Sequence, residues 1–447
     1  MIFISMFFLF LSVSETVCKA QGEMQRIEIP SSFNPVGSGA RALGMGGAFI
    51  AVADDATAAS WNPGGLIRLD RPEISVVGAG FHRMEDNSFG LHPEADGEES
   101  VSRVELNYLS AAYPFRFIDY NMVVSLNYQH LYDFTRKWNF SFQQDAESLI
   151  HADYQSQGKL SAVALAYCVQ ITENISLGAT VNIWDDGLTE NSWNQELFQW
   201  GSGNDSRDET DERNDFVEEI RIRDEYDFSG YNFNIGILWK NAFDLPLTLG
   251  AVIKTPFEAD LDYHHSFYRF TQYPNLPSDD DEKEFRSDKE NAELDMPLSY
   301  GIGLAYRFSD NFTMSLDVYR TQWDDFILKK ADGSEISPIT GKSATQSDID
   351  PTHQVRIGGE YLGFQTADYV FPLCFGAFYD PAPAPGSPDD FFGLTLGTGI
   401  SDRKHFTFDM AYQYRFGKSV GEYILEDWNF SQDVQEHTLY ASLIIYF

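Results

Sequence analysis

Between residues 297 and 308 apolar and polar side chains alternate. Leu298, Tyr300, Ile302, Leu304, Tyr306 and Phe308 fall on one face, and Ser299, Gly301, Gly303, Ala305 and Arg307 on the other. A period of two means a β-strand with two unlike faces. The pattern returns at 405–416, where Phe406, Phe408, Met410, Tyr412, Tyr414 and Phe416 oppose Thr407, Asp409, Ala411, Gln413 and Arg415. It returns again at the C-terminus, with Leu439, Ala441, Leu443, Ile445 and Phe447 against Thr438, Tyr440, Ser442 and Tyr446. The polar faces are too polar for the inside of a soluble sandwich, and the apolar faces too aromatic for water. A membrane β-barrel needs this combination. Only a closed barrel satisfies every strand's backbone groups in lipid. The predicted fold is therefore all-β, an antiparallel transmembrane β-barrel.

Fourteen segments carry the signal: 72–83, 102–115, 120–133, 158–171, 174–186, 228–243, 245–258, 294–308, 311–323, 351–363, 368–379, 390–402, 404–416 and 436–447. Even-numbered segments are followed by tight turns such as Thr172-Glu173 and Ser309-Asp310. Odd-numbered ones are followed by longer connections, including 134–157, 187–227, 259–293 and 324–350, read as loops. Sorting by parity is what short periplasmic turns and long outer loops produce.

Charge follows the same division. The chain has 31 Lys+Arg against 68 Asp+Glu, net −37. This excludes nucleic acid as a default partner, since phosphate binding needs a basic surface. Segment 187–227 holds thirteen acidic and four basic residues, net −9, and 259–293 holds ten and four, net −6. Both read as solvated outer loops facing lipopolysaccharide. Asp279-Asp280-Asp281-Glu282 lacks the glycine turn and spacing of a calcium loop. Residues 1–20 read as a signal peptide, with an apolar stretch Ile2–Val13 and small residues around Ala20. Cys168 and Cys374 lie far apart and suggest free thiols, and no Cys/His spacing matches a zinc site. No metal or cofactor is expected.

Residues 21–71 differ from the remainder, being rich in Gly, Ala, Asn and Pro without alternation. Gly44-Met45-Gly46-Gly47 fails as a dinucleotide loop, because the third glycine would fall at Phe49. Asp54-Asp55 has no His or nucleophile nearby, so pairing with Arg41 or capping of a helical turn is the expected role. An outer-membrane hydrolase needs a nucleophile beside His264, His265 or His353, and none is apparent from spacing.

This segment, with its Gly/Ala run, Ala53-Asp54-Asp55-Ala56 and Asn62-Pro63-Gly64-Gly65-Leu66, resembles the N-terminal hatch of the FadL/TodX family of outer-membrane transporters. Met296-Pro297-Leu298, Thr321-Gln322-Trp323, Arg356-Ile357-Gly358-Gly359-Glu360-Tyr361, Tyr379-Asp380-Pro381 and Pro388-Asp389-Asp390 look like later segments of that family. The chain departs from it at Gly64, where the family has Ala, and in the extension Gln21–Pro30. The resemblance implies a hatch or plug at 21–71 inside a barrel formed by 72–447. It also implies passive uptake of hydrophobic compounds such as long-chain fatty acids through an apolar pocket and a hatch-gated lateral opening. Asp54, Asp55, Asn62, Pro63 and Gly64 are the expected gate or latch. Phe33, Leu43, Met45 and Phe49 are the expected pocket residues, with the inward-facing Arg307 and Arg356 as carboxylate partners. A monomer surrounded by outer-membrane lipids and lipopolysaccharide is expected. The alternative is a barrel that binds partners in a secretion or surface-attachment complex without transport, for which a sealed polar lumen would speak.

Overall fold

In the computed structural model, residues 26–27, 29–143, 149–204, 215–277, 281–402 and 404–447 are described. The proposed signal peptide and Asp279-Asp280 lie outside them. Among the described residues, fourteen strands form an unbroken ring: β1 (Glu73–Phe89), β2 (Gly97–Phe117), β3 (Tyr120–Asp133), β5 (Leu149–Gln170), β6 (Ile175–Trp184), β8 (Asp215–Trp239), β9 (Leu247–Lys254), β12 (Ser299–Ser309), β13 (Phe312–Thr321), β16 (Thr352–Gln365), β17 (Val370–Tyr379), β18 (Phe391–Ser401), β19 (Phe406–Val420) and β20 (Phe430–Tyr446). Each pairs antiparallel with the next. β20 returns to β1, from Glu73↔Tyr446 up to Phe89↔Phe430, and closes the barrel. The predicted faces hold: Ile302 and Leu396 are 64% and 67% exposed on the lipid side, while Thr395, Asp409 and Ser442 are buried on the lumen side.

The acidic connections are not loops for most of their length. They carry β4 (Arg136–Gln143), β7 (Ser192–Asn204), β10 (Phe257–Gln272) and β11 (Glu282–Met296). With the leading halves of β5 and β8 these form a second tier above the wall, ordered β4–β5–β7–β8–β10–β11. Only 324–350 keeps short pieces, β14 (Ile327–Lys329) and β15 (Glu335–Ile336), among turns. High charge concealed these strands. Outside lipid only one face must be apolar, and Ile220, Ile222, Tyr226 and Phe228 supply it, while Arg221, Arg223 and Asp227 face water.

A ring of this size is too wide for wall side chains to fill. Residues 29–72 occupy the lumen with short helices at Ala40–Gly44 and Ala58–Trp61 and a 3-10 helix at Pro63–Arg68. Cys168 and Cys374 are free and buried.

Candidate functional site

The hatch meets the wall where paired strands carry glycine opposite glycine. Gly178↔Gly236 joins β6 to β8, Gly250↔Gly303 joins β9 to β12, and Gly358↔Gly376 joins β16 to β17. Each pair receives hatch backbone. A Cβ on Gly178 would lie 2.2 Å from the Pro63 carbonyl carbon, one on Gly303 2.7 Å from Ile50 Cβ, and one on Gly358 2.0 Å from the Met45 oxygen. Glycine in a strand weakens it but lets another backbone approach. Here that approach seats the plug.

Polar side chains lock the same contacts. Asn62 Nδ2 donates to the Ile50 and Ile237 carbonyls at 2.9 Å each, and its Oδ1 accepts from Gly64 N–H at 3.0 Å, capping the 3-10 helix that Pro63 begins. Ser176 Oγ donates to the Gly64 carbonyl at 2.7 Å. Asp317 of β13 accepts the Phe49 and Ile50 N–H groups at 2.6 and 2.8 Å. Arg356 donates to Gly46 O at 3.1 Å and lies over the Phe378 ring.

A charged latch joins the hatch to β16. Arg41 holds Glu360 with Nε and Nη2 at 2.6 and 2.9 Å and Asp54 with Nη1 at 2.5 Å. Asp55 accepts both the N–H and the hydroxyl of Thr57, 2.8 and 2.6 Å away. Burial works against the Arg41 charge, but Asp54 and Glu360 outweigh it and hold its pKa well above the ordinary value. Burial, opposed by Arg41, pushes the Asp55 carboxyl upward.

Above the hatch the lumen changes character. The arm from Arg26 to Ser38 climbs toward the outer connections, where Ile27 N–H donates to Pro338 O at 2.9 Å and Arg26 to Ile424 O at 2.7 Å. Asn34 anchors its middle: Nδ2 donates to Pro381 O at 2.7 Å, and Oδ1 accepts from Trp323 and Thr352 at 2.9 and 3.1 Å. Phe33 meets Trp323 edge to face at 5.4 Å. Around the arm lies an apolar cluster that includes Phe134, Trp184, Trp193, Phe228, Met296 and Trp323. Beside it is a cavity of about 70 Å³ lined by Phe33, Trp184, Phe257, Met296 and Trp323 on one part and by Lys254, Gln129, Asn182, Asn232 and Asn234 on the other. Lys254 Nζ donates to Pro35 O at 2.9 Å.

One seam in the ring is weaker. The β2–β3 ladder runs from Phe117↔Tyr120 only to Tyr108↔Gln129. Above it β2 pairs with β1 alone, and β3 continues against β5 through a register shift between His130 and Tyr132. The side chains of Arg103, Glu105, His130 and Asp133 gather at this level.

Of the six pocket residues expected from sequence, Phe33 lines the cavity. Leu43, Met45 and Phe49 instead pack in the lower cluster between hatch and wall. Arg356 is buried, donates to the hatch at Gly46 O and lies 3.8 Å from Asp380. Arg307 is exposed near the β12–β13 turn, on the side where Pro246 O accepts its N–H. Inward parity there leads past the hatch into solvent, because β12 has already passed its contact with Ile50. Sequence reasoning missed Lys254, Trp184 and Trp323. A lysine on the otherwise polar-neutral inward face of β9 was the available signal for the first. The aromatic residues lie where a strand meets its outer connection and follow no period.

A profile of the BamG family matches residues 44–362. No curated protein sequence matches the chain. Among solved structures, a Pseudomonas aeruginosa FadL homologue superposes with TM-score 0.59 at 14% identity, over 93% of this chain and 100% of the other. The Pseudomonas putida toluene transporter TodX gives TM-score 0.56 at 12% identity over 93% and 100%, and the Ralstonia pickettii toluene transporter TbuX 0.53 at 14% over 93% and 100%. These likenesses show that the chain shares the barrel fold of these structures. The family match spans the hatch glycines and most of the wall, and on it the chain belongs to the BamG family.

Proposed function

We propose that the protein sits in the outer membrane of a Gram-negative-type bacterium and passes hydrophobic compounds inward by diffusion, with long-chain fatty acids as the best-fitting class. The observation that carries this reading is the aromatic chamber above the hatch with one lysine on its wall. Each methylene left in water costs about 0.8 kcal/mol, so a sixteen-carbon chain faces roughly 12 kcal/mol in a wet pore. The aromatic part of the cavity reduces that cost for the chain, and Lys254 with the amides on the polar part suits a carboxylate head group. The 70 Å³ now open is well short of the roughly 150 Å³ that holds benzene in an engineered cavity. Passage therefore requires the arm to withdraw, which frees Lys254 from Pro35. The upper β2–β3 seam supports a lateral exit there, since side chains rather than backbone ladders close it. In this reading Asp54, Asp55, Asn62, Pro63 and Gly64 hold the hatch in register while the arm moves.

The test is expression in a strain lacking its own fatty-acid channel, followed by growth on oleate and uptake of labelled oleate. Unchanged uptake with the barrel present in the outer membrane rejects the reading for that substrate.

A second reading has its own support. The lower lumen is closed by ion pairs and hydrogen bonds between hatch and wall, and the second tier offers a polar concavity of about 750 Å³ lined by residues such as Asn194, Asp227 and Lys289. Both features suit a barrel that binds a partner within a surface or secretion complex without transport. Stoichiometric co-purification of an outer-membrane partner, lost on charge reversal at Asp227 and Asp262, together with absent uptake, favours it.

A further inference from the structure

We infer that the β2–β3 seam is a binding site for one divalent transition-metal ion of the zinc class, held by Glu105, His130 and Asp133. One ligand atom from each of these residues lies within 4.8 Å of the other two. Zinc takes imidazole nitrogen and carboxylate oxygen at about 2.0–2.2 Å, so binding needs the His130–Glu105 contact to open around the ion and Asp133 to move in toward it.

Three observations beyond proximity point to a cation. His130 is buried, and its Nε2 lies 2.8 Å from the Tyr132 carbonyl, an arrangement in which that nitrogen donates. A metal-bound histidine characteristically orients itself by giving its other N–H to a carbonyl. His130 Nδ1 then faces Glu105 Oε1 at 2.8 Å. At that distance the two atoms share a proton, and a metal ion would replace that proton as the two atoms part to its bond lengths. Finally, Glu105 Oε2 is a buried carboxylate oxygen with no hydrogen-bond partner. Burying such an oxygen unsatisfied is costly, and ligation satisfies it.

The charges nearby leave room for the ion. Arg103 Nη1 pairs with Asp133 Oδ2 at 2.5 Å and also meets Thr135, while Thr135 N–H donates to Asp133 Oδ1 at 2.7 Å. Each carboxylate oxygen still has a second lone pair. Lys159, the other nearby cation, is engaged by Glu190 at 2.9 Å. Two carboxylates against one guanidinium leave a net negative charge. The ion would join β2 to β3 where their ladder has stopped, close to the arm, since Asp133 N–H donates to Ser31 Oγ at 3.2 Å.

The test uses the full chain purified in detergent, stripped with chelator and titrated with Zn²⁺ by calorimetry, then with Co²⁺ as a spectroscopic probe. One equivalent is expected, with a cobalt spectrum showing nitrogen and oxygen ligands, and both are lost in H130Q and in E105Q. H264Q, which alters a half-buried histidine of the second tier, keeps them. E105Q retains the side-chain shape should H130Q fail to assemble, and heat-modifiable migration on gels reports assembly of each. Absence of a stoichiometric site, or a site unchanged in E105Q, overturns the inference and leaves a His130–Glu105 ion pair closed by a proton. The outcome does not depend on transport.

Discussion

The two halves of the lumen are built on opposite principles. In the lower half the hatch touches the wall backbone to backbone, through paired glycines, and every contact is closed by a polar group: Asn62, Asp317, Arg356 or Arg41 with Glu360. In the upper half the arm lies among large aromatic side chains and leaves a cavity. The lower contacts are specific and costly to break, because a buried polar group without its partner pays the full desolvation penalty. The upper contacts are non-directional and can be remade with another apolar body. The contrast teaches which part can hold still while the other yields.

The sharpest break of the comparison is G178V. Its side chain must displace the Pro63 backbone, and overpacking against backbone cannot be relieved by a rotamer change. The hatch should be expelled from an otherwise assembled barrel, read as a large rise in single-channel conductance and proteolytic release of residues 26–72.

Next in size is N62A. It leaves the Ile50 and Ile237 carbonyls and the Gly64 N–H without their partner. A loss of about 2–4 kcal/mol in hatch docking is expected, at 1–3 kcal/mol for each unsatisfied group with partial relaxation. Denaturant titration of hatch protease sensitivity measures it, and uptake should fall with the barrel still assembled.

F33A tests the upper half. The edge-to-face contact with Trp323 is lost and the cavity grows. The arm should loosen by about 3 kcal/mol, the low end for a buried Phe because a cavity already adjoins the site. Binding of an apolar fluorescent probe should increase and conductance remain at the wild-type level. A conductance rise as large as that of G178V would mean that the two halves do not act separately.

The smallest expected effect is acid-dependent. Asp389, in the β17–β18 connection, accepts the Gly421 N–H at 2.8 Å, and burial pushes its carboxyl up to about 6. A raised acid binds its proton more tightly when folded, so the folded connection gains stability as pH falls from 7.5 toward 5 and loses it as pH rises through about 6. The gain should be on the order of 1–2 kcal/mol. Thermal melts at both pH values should show it in the wild type and not in D389N.

Much of the wall was legible beforehand. Alternation located the fourteen strands and their faces because the same physics, lipid on one side and water on the other, acts on every residue pair of a spanning strand. It failed above the membrane, where β7, β10 and β11 carry charge on their outer faces and resemble loops. Of the apolar hatch residues named from sequence, Phe33 alone borders the upper cavity. Leu43, Met45 and Phe49 are apolar residues of the hatch, but burial against the wall and burial around a cavity leave the same mark on a sequence.

The sequence by itself determined the barrel, the number of its strands, and a glycine-rich segment unlike them, because periodicity and backbone demands are local properties. Only the tertiary structure decided that wall glycines pair across strands to receive the hatch, that Lys254 faces an aromatic chamber, and that Glu105, His130 and Asp133 meet at one seam. Those juxtapositions depend on strand register around a closed ring, which no single segment specifies.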